Sequence, residues 1–192
     1  LIKDGIDFNN VYKILPKEHQ QQLFDACQRK WQDLIKDGID FNNVYKILPK
    51  EYHNQLFDSF QGRWQNLIKR PWDFKIIYEI IPTEHQQQLI KSFQGHWQDL
   101  IKNGYDFNII YRTLSKEHQQ QLIQSFQGHW QDLIKNSHEF RNVYEIIPTE
   151  HQQQLIQSFQ GHWQDLIKYG ANFKDIHKIL PEKHQQQLIK SF

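Results

Sequence analysis

The apolar residues of this chain fall into helical phase. Phe107, Ile110, Tyr111 and Leu114 are spaced i, i+3, i+4, i+7, the stripe of one buried helix face. Leu122, Phe126, Trp130, Leu133 and Ile134 keep a second single phase, which predicts a longer helix running on to Lys135. Strand-like alternation is absent. Both stripes recur with Trp31, Trp64, Trp97, Trp130 and Trp163, a constant step of 33 residues. The pattern therefore predicts an all-α chain, an α-solenoid or superhelix of about six two-helix repeats, each with one short and one long helix. Its units are 1–30, 31–63, 64–96, 97–129, 130–162 and 163–192 of a single array. One such unit is too small to bury its own Phe, Tyr and Trp rings, so neighbours must share them.

Local signals refine the unit. Asp7, Asp40, Asp73, Asp106, Glu139 and Asn172 stand just before the short-helix stripe and are expected as its N-caps. Pro16, Pro49, Pro82, Pro148 and Pro181 end that helix, and Thr83 and Thr149 are candidate caps for the next one. Gly5, Gly38, Gly104 and Gly170 are expected to close the long helix in left-handed geometry. Gly62, Gly95, Gly128 and Gly161 fall inside the predicted long helix, where glycine costs up to about 1 kcal/mol relative to alanine. They mark a close backbone approach, an inherited duplication, or a break that would split the helix. Leu1 aligns with Leu34 and Phe192 with Phe159, so both ends fall inside a unit without a polar capping repeat. The expectation is a piece of a longer array, with end-to-end self-association open to it.

Three families share this format. The segment Ile101-Lys-Asn-Gly-Tyr-Asp-Phe-Asn108 resembles the Leu-Leu-x-x-Gly-Ala-Asp-x-Asn segment of ankyrin arrays, whose Thr-Pro-Leu-His opening and polar turn are missing here. The period and the near-identity of units are similar to TAL-effector repeats, and that resemblance implies DNA reading by a variable residue pair in the loop between the helices. Here that loop is a nearly constant Leu-Pro-Lys-Glu or Ile-Pro-Thr-Glu. The variable pair, such as Lys75-Ile76, Asn108-Ile109 or Arg141-Asn142, instead opens the short helix. TPR arrays are similar in having two helices per unit of about 34 residues, but their Gly-x-x-Tyr and Ala-x-x-x-Phe positions have no counterpart.

Composition narrows the function. Lys and Arg number 23 against 22 Asp and Glu, a formal charge of +1, so there is no bulk attraction to a polyanion. Mean hydropathy is −0.80 and the apolar runs are short, which predicts no membrane span. A single cysteine, Cys27, excludes an intramolecular disulfide framework, and it stands where other units have Phe, so it reads as a core thiol. His19, His85, His118, His151 and His184 recur at one position, with His96, His129 and His162 eleven residues after three of them. Three helical turns separate the two sets, which cannot converge on one metal ion, so packing roles and neither metal nor cofactor are expected. Gln94 with Gln98 and Gln127 with Gln131 suggest a unit-to-unit amide ladder, or a ligand-facing row, since a Gln amide pairs bidentately with adenine.

Lys36, Lys69, Lys102, Lys135 and Lys168 continue a row begun by Lys3, one per unit, that could follow a phosphate backbone. Asp33, Asp99, Asp132 and Asp165 precede four of them by three residues and are predicted to pair with them. Catalysis has no support: there is no glycine-rich phosphate loop and no unique Ser/His/Asp set. A repeated core with an unrepeated surface predicts a non-enzymatic binding or scaffold module for a protein or peptide. Its surface would be Lys75, Glu79, Asn108, Arg112, Arg141, Glu145, Lys174 and Lys178 on the short helices. The alternatives are a modular nucleic-acid reader that follows the lysine row, or a spacer arm in a larger effector. Scarce cysteine and abundant surface lysine suit a cytoplasmic setting.

Overall fold

The computed structural model describes residues 2–192; Leu1, and with it the start of the first unit, lies outside them. Among the described residues every regular element is helical. The chain divides into two compact halves, Leu1–His96 and Trp97–Phe192, at a predicted unit boundary. Within the second half, unit 97–129 consists of a one-turn leading helix Trp97–Leu100, a middle helix Gly104–Thr113 and a trailing helix Lys116–Phe126. Unit 130–162 repeats these as Trp130–Leu133, Ser137–Tyr144 and Thr149–Ser158. In the first half, unit 64–96 has Trp64–Leu67, Pro71–Ile80 and Thr83–Ser92. The chain is thus an all-helical tandem-repeat array, with a finer unit than two helices.

The predicted long helix is broken. Gly62, Gly95, Gly128 and Gly161 have φ of 72°, 78°, 84° and 82°, the left-handed region that only glycine enters freely. They end the trailing helix and let the chain restart at the next tryptophan. In phase, the two pieces look like one helix, because the turn between them preserves the side on which the rings lie. Arg29 holds the equivalent place near the start of the chain. There a 3₁₀ turn, Gln28–Lys30, makes the connection without positive φ.

The other glycine row is also reassigned. Gly5, Gly38, Gly104 and Gly170 open middle helices, and none is left-handed. A Cβ on Gly38 would lie 2.7 Å from the Cα and carbonyl oxygen of Asp73, and one on Gly104 2.8 Å from the Glu139 carbonyl oxygen. Middle helices of adjacent units therefore meet backbone to backbone. Pro71 fills the same place as a first-turn proline. Ser137 fills it as a buried hydroxyl accepting from Asn172 Nδ2 at 3.0 Å.

The caps shift with the glycines. Asp4, Asp37, Asn103 and Asn136 are the N-caps. The residues expected as caps lie one turn inside, because the apolar stripe begins only in the second turn. They tie units together instead. Asp40 accepts from the Lys36 amide and, with its other oxygen, from the Gly5 amide of the preceding unit, both at 3.1 Å. Asp73 accepts likewise from the Gly38 amide at 3.3 Å. Burial pushes the Asp40 carboxyl above the usual carboxylate range against those bonds. Pro82 and Pro148 are N-caps of trailing helices, so Thr83 and Thr149 are first helical residues and not caps.

The aromatic core forms between units as expected. Phe107 is fully buried, edge-on to Phe126 of its own unit at 5.6 Å and to Trp130 of the next at 5.5 Å. Phe140 meets Phe159 and Trp163 at 5.6 and 5.4 Å. In the first half Phe41 meets Phe60 and Trp64 at 5.9 and 5.5 Å. Such edge-to-face pairs add about 0.5–1.5 kcal/mol each beyond area burial. No described helix is long and apolar enough to cross a membrane.

Candidate functional site

Many of the repeated polar groups are committed to the fold. The first glutamine of each run closes a middle helix: Gln119 Nε2 donates to the Tyr111 and Leu114 carbonyls at 2.9 and 3.2 Å. Gln20, Gln86, Gln152 and Gln185 do the same, and His53 substitutes by meeting the Leu48 carbonyl at 2.9 Å. Leading-turn glutamines bind the end of the trailing helix, as Gln32 does to the Ser59 carbonyl at 2.8 Å and Gln65 to that of Ser92 at 2.7 Å. Gln127 donates to Gln154 of the next unit at 3.2 Å, one rung of the anticipated ladder.

Of the recurring histidines, His85 and His118 are buried, His151 and His184 half-buried, and His19, His96, His129 and His162 exposed. His85 stacks flat on Phe57 of the preceding unit, centroids 4.0 Å apart, where Tyr52 stacks on Phe24 at 4.1 Å. Burial lowers the pKa of both His85 and His118. Among the described residues no three His, Cys, Asp or Glu side chains gather as a metal site. Cys27 is buried, and burial raises its thiol pKa.

The surface set on the middle helices is made of local pairs. Lys75 lies 3.9 Å from Glu79, and Arg112 Nε donates to Asn108 at 2.8 Å. Asn108 also donates to the Asn142 carbonyl of the next unit at 3.3 Å. Arg141 is half-buried, whereas Glu145, Lys174 and Lys178 are exposed, and nothing joins these four to the others.

The lysine row is better defined. Lys36, Lys69, Lys102, Lys135 and Lys168 are all exposed, and each lines a cleft between leading turns of adjacent units. In the first half a cleft of about 380 Å³ has Gln32, Asp33, Lys36, Arg63 and Lys69 around a floor of Ile35, Phe60 and Leu67. In the second half a cleft of about 390 Å³ repeats the pattern with Lys135, His162 and Lys168. A smaller one, about 200 Å³, holds Lys102 and His129. The expected Asp–Lys pairing is not what forms. Asp132 faces His129 at 3.3 Å and Asp165 faces His162 at 3.4 Å. Lys102, Lys135 and Lys168 instead cap the leading turns, donating to the carbonyls of Gln98, Gln131 and Gln164 at 2.9, 2.8 and 3.1 Å. The reason is the short leading helix: the chain is already extended at Ile134, so the i, i+3 proximity of Asp132 and Lys135 is lost.

Two further features complete the surface. Gln120, Gln153 and Gln186, at one position of the trailing helices in the last three units, are exposed, and their side-chain amides make no hydrogen bond. Trp72, which has no tryptophan counterpart in any other unit, is 51% exposed with Lys75 Nζ 4.9 Å from its ring centroid. Its signal in the sequence is that it breaks the 33-residue tryptophan register.

No family model and no curated protein sequence matches the chain. The fold does have solved counterparts. One is the Puf3 RNA-binding domain bound to site A of the Cox17 RNA 3′ UTR recognition sequence, with a TM-score of 0.68 at 16% identity. That match covers 99% of this chain and 62% of the other. The same domain bound to site B gives 0.67 at 15% identity, covering 99% and 59%. The chain thus spans about three-fifths of the length of these domains, and at such identity the likeness is one of fold. Both counterparts are RNA-binding domains with RNA bound. That finding corrects the expectation of a protein or peptide partner. The nucleic-acid alternative agrees with the fold.

Proposed function

We propose that this chain is a non-enzymatic RNA-binding repeat array. The observation that carries the reading is its likeness, along 99% of its length, to RNA-binding domains solved with RNA. The chain's own residues support it. With a net charge of only +1, attraction to phosphate has to come from local rows. Lys36 and Lys69 in one half, and Lys102, Lys135 and Lys168 in the other, supply such rows at exposed, repeated clefts. Gln120, Gln153 and Gln186 offer an uncommitted amide in each of the last three units, in keeping with helical arrays that read one base per repeat.

The test is fluorescence anisotropy with labelled single-stranded RNA over a salt series. The affinity falls with salt, by a log–log slope of about −0.7 for each phosphate contacted. Replacing Lys36 and Lys69 by Gln flattens that slope by about 0.7 per lysine in contact. A chain that binds no RNA even at low salt, while remaining folded, removes the reading.

A further inference from the structure

Each half of the molecule carries an exposed aromatic ring three residues after a lysine of the row. In the first half Lys69 is followed three residues later by Trp72; in the second, Lys102 is followed by Tyr105 in the same spacing, and Lys135 by His138. These residues occupy the second position of their middle helices, where the side chain points away from the packed glycine or proline start. Trp72 is 51% and Tyr105 59% exposed, against 1–3% for the five tryptophans that keep the repeat register. Ile6 and Ile39 hold the position in earlier units, so the aromatic character is confined to the middle of the chain.

The fold gains nothing evident from these rings. The buried aromatics meet partners within their own or the adjacent unit, whereas Trp72 has only the Lys75 ammonium over its face. Lys69 makes no polar contact and lines the basic cleft with Lys36 and Arg63. Arg70, between Lys69 and Trp72, is committed to the fold through Asp73 at 2.9 Å and Asp37 at 3.7 Å. What remains open is an exposed ring with the Lys75 ammonium, shared with Glu79 at 3.9 Å, on its face and the exposed Lys69 three residues before it; an aromatic face with cations at hand is the combination that binds single strands by base stacking and phosphate attraction. A duplex keeps its bases inside and cannot use the ring.

We propose that the Lys69–Trp72–Lys75 cluster, and independently Lys102–Tyr105 in the other half, are stacking platforms for unpaired RNA bases. This rests on the RNA-binding reading and assigns it a surface and a strand state. The occupant is an unpaired polyanionic strand because the open groups are aromatic faces and ammoniums. An apolar partner would leave Lys69 unmatched.

Trp72 supplies its own readout, since it is the one tryptophan with an exposed ring. Adding a mixed-sequence single-stranded RNA to the intact chain should quench the solvent-exposed emission, and a fully paired RNA of equal length should not. Trp72→Ala should remove the quench and weaken single-strand binding about fivefold or more, whereas Trp72→Phe should keep most of the affinity. Tyr105→Ala should weaken binding in the same direction without touching the Trp72 signal. Circular dichroism of each variant checks that the helices are intact. Wild-type protein that binds RNA with undiminished Trp72 emission, or that Trp72→Ala leaves unchanged in affinity, overturns the platform and spares the RNA reading. Equal quenching by duplex overturns the strand assignment. Failure of the wild type to bind any RNA takes both down.

Discussion

The start of a middle helix and the end of a trailing helix both carry glycine, and the two surroundings differ completely. Gly38 sits in a crowded seam, with the backbone of Asp73 where its Cβ would be, and its own φ is ordinary. Gly128 has no atom within 4 Å of a built Cβ, but its φ is 84°. The first is glycine for lack of space and the second for lack of conformational choice. The first kind joins one unit to the next, whereas the second shapes the chain within its local turn. A sequence shows the same letter in both places.

The largest effect should come from the crowded seam. Gly38→Ala or Gly104→Ala forces a methyl into the neighbouring backbone, which cannot rotate away as a side chain would. A loss of about 3 kcal/mol is expected, the upper end for overpacking, read as a shift in urea midpoint. Gly170→Ala is the internal control, because nothing lies within 4 Å of its Cβ position. There the better helix propensity of alanine leaves stability unchanged or raised by up to about 1 kcal/mol. If Gly38→Ala and Gly170→Ala behaved alike, backbone contact would not be what joins the middle helices.

The open turn should respond less. Gly128→Ala places an L-residue in left-handed geometry, at about 1–2 kcal/mol. The first turn of the series sets a lower bound on the response, since Arg29 is accommodated there by the 3₁₀ route of Gln28–Lys30. Gly128→Ala should therefore fall at the low end, and Gly128→Asn lower still, because asparagine tolerates the left-handed region. Thermal unfolding of the pair against wild type measures the difference. A loss at Gly128 equal to that at Gly38 would mean that the 3₁₀ route is closed to that unit.

These two glycine rows also mark what the sequence revealed and what it concealed. The period, the helical class and the sharing of Phe107 with Trp130 were legible, because burial of a ring at fixed phase leaves a direct trace in the pattern. The break at Gly128 was not, since the turn keeps Phe126 and Trp130 on one side and so preserves the phase of a continuous helix. The caps were displaced by one turn because an N3 carboxylate and an N-cap are both acidic residues before an apolar stripe. The bonds from Gly5 to Asp40 and from Gly38 to Asp73 set them apart, and each joins residues 35 apart. The lysine row was visible as a row, yet its Asp partners were misassigned, since the extended backbone at Ile134 is a tertiary consequence of the short leading turn. Trp72 lies off the 33-residue register, so the period carries no trace of it.

The smallest expected effect probes the contact between trailing helices through pH. His85 lies flat against Phe57, and desolvation by burial holds its pKa below the ordinary 6.5. Glu84 and Asp58 oppose that shift by favouring the charged ring, and His53 adds to it. His118 is lowered by burial in the other half, with Glu117 opposing. The unfolded chain therefore binds protons at a pH where the folded chain does not. By linkage, the contribution is fully present above pH 6.5 and is lost as the pH falls toward the folded-state value. Asp40, with its pKa raised, has the opposite sign: its folded carboxyl holds the proton longer, so its contribution declines as the pH rises through that value. A series of melting temperatures from pH 8 down to about pH 5.5 therefore reads chiefly the histidines, which titrate nearest that window. His85→Tyr, the residue already used at Tyr52, should preserve the stacked ring and flatten the fall, and adding His118→Tyr should flatten it further. Should the double variant follow the wild-type curve, the array would owe its pH response to some other group.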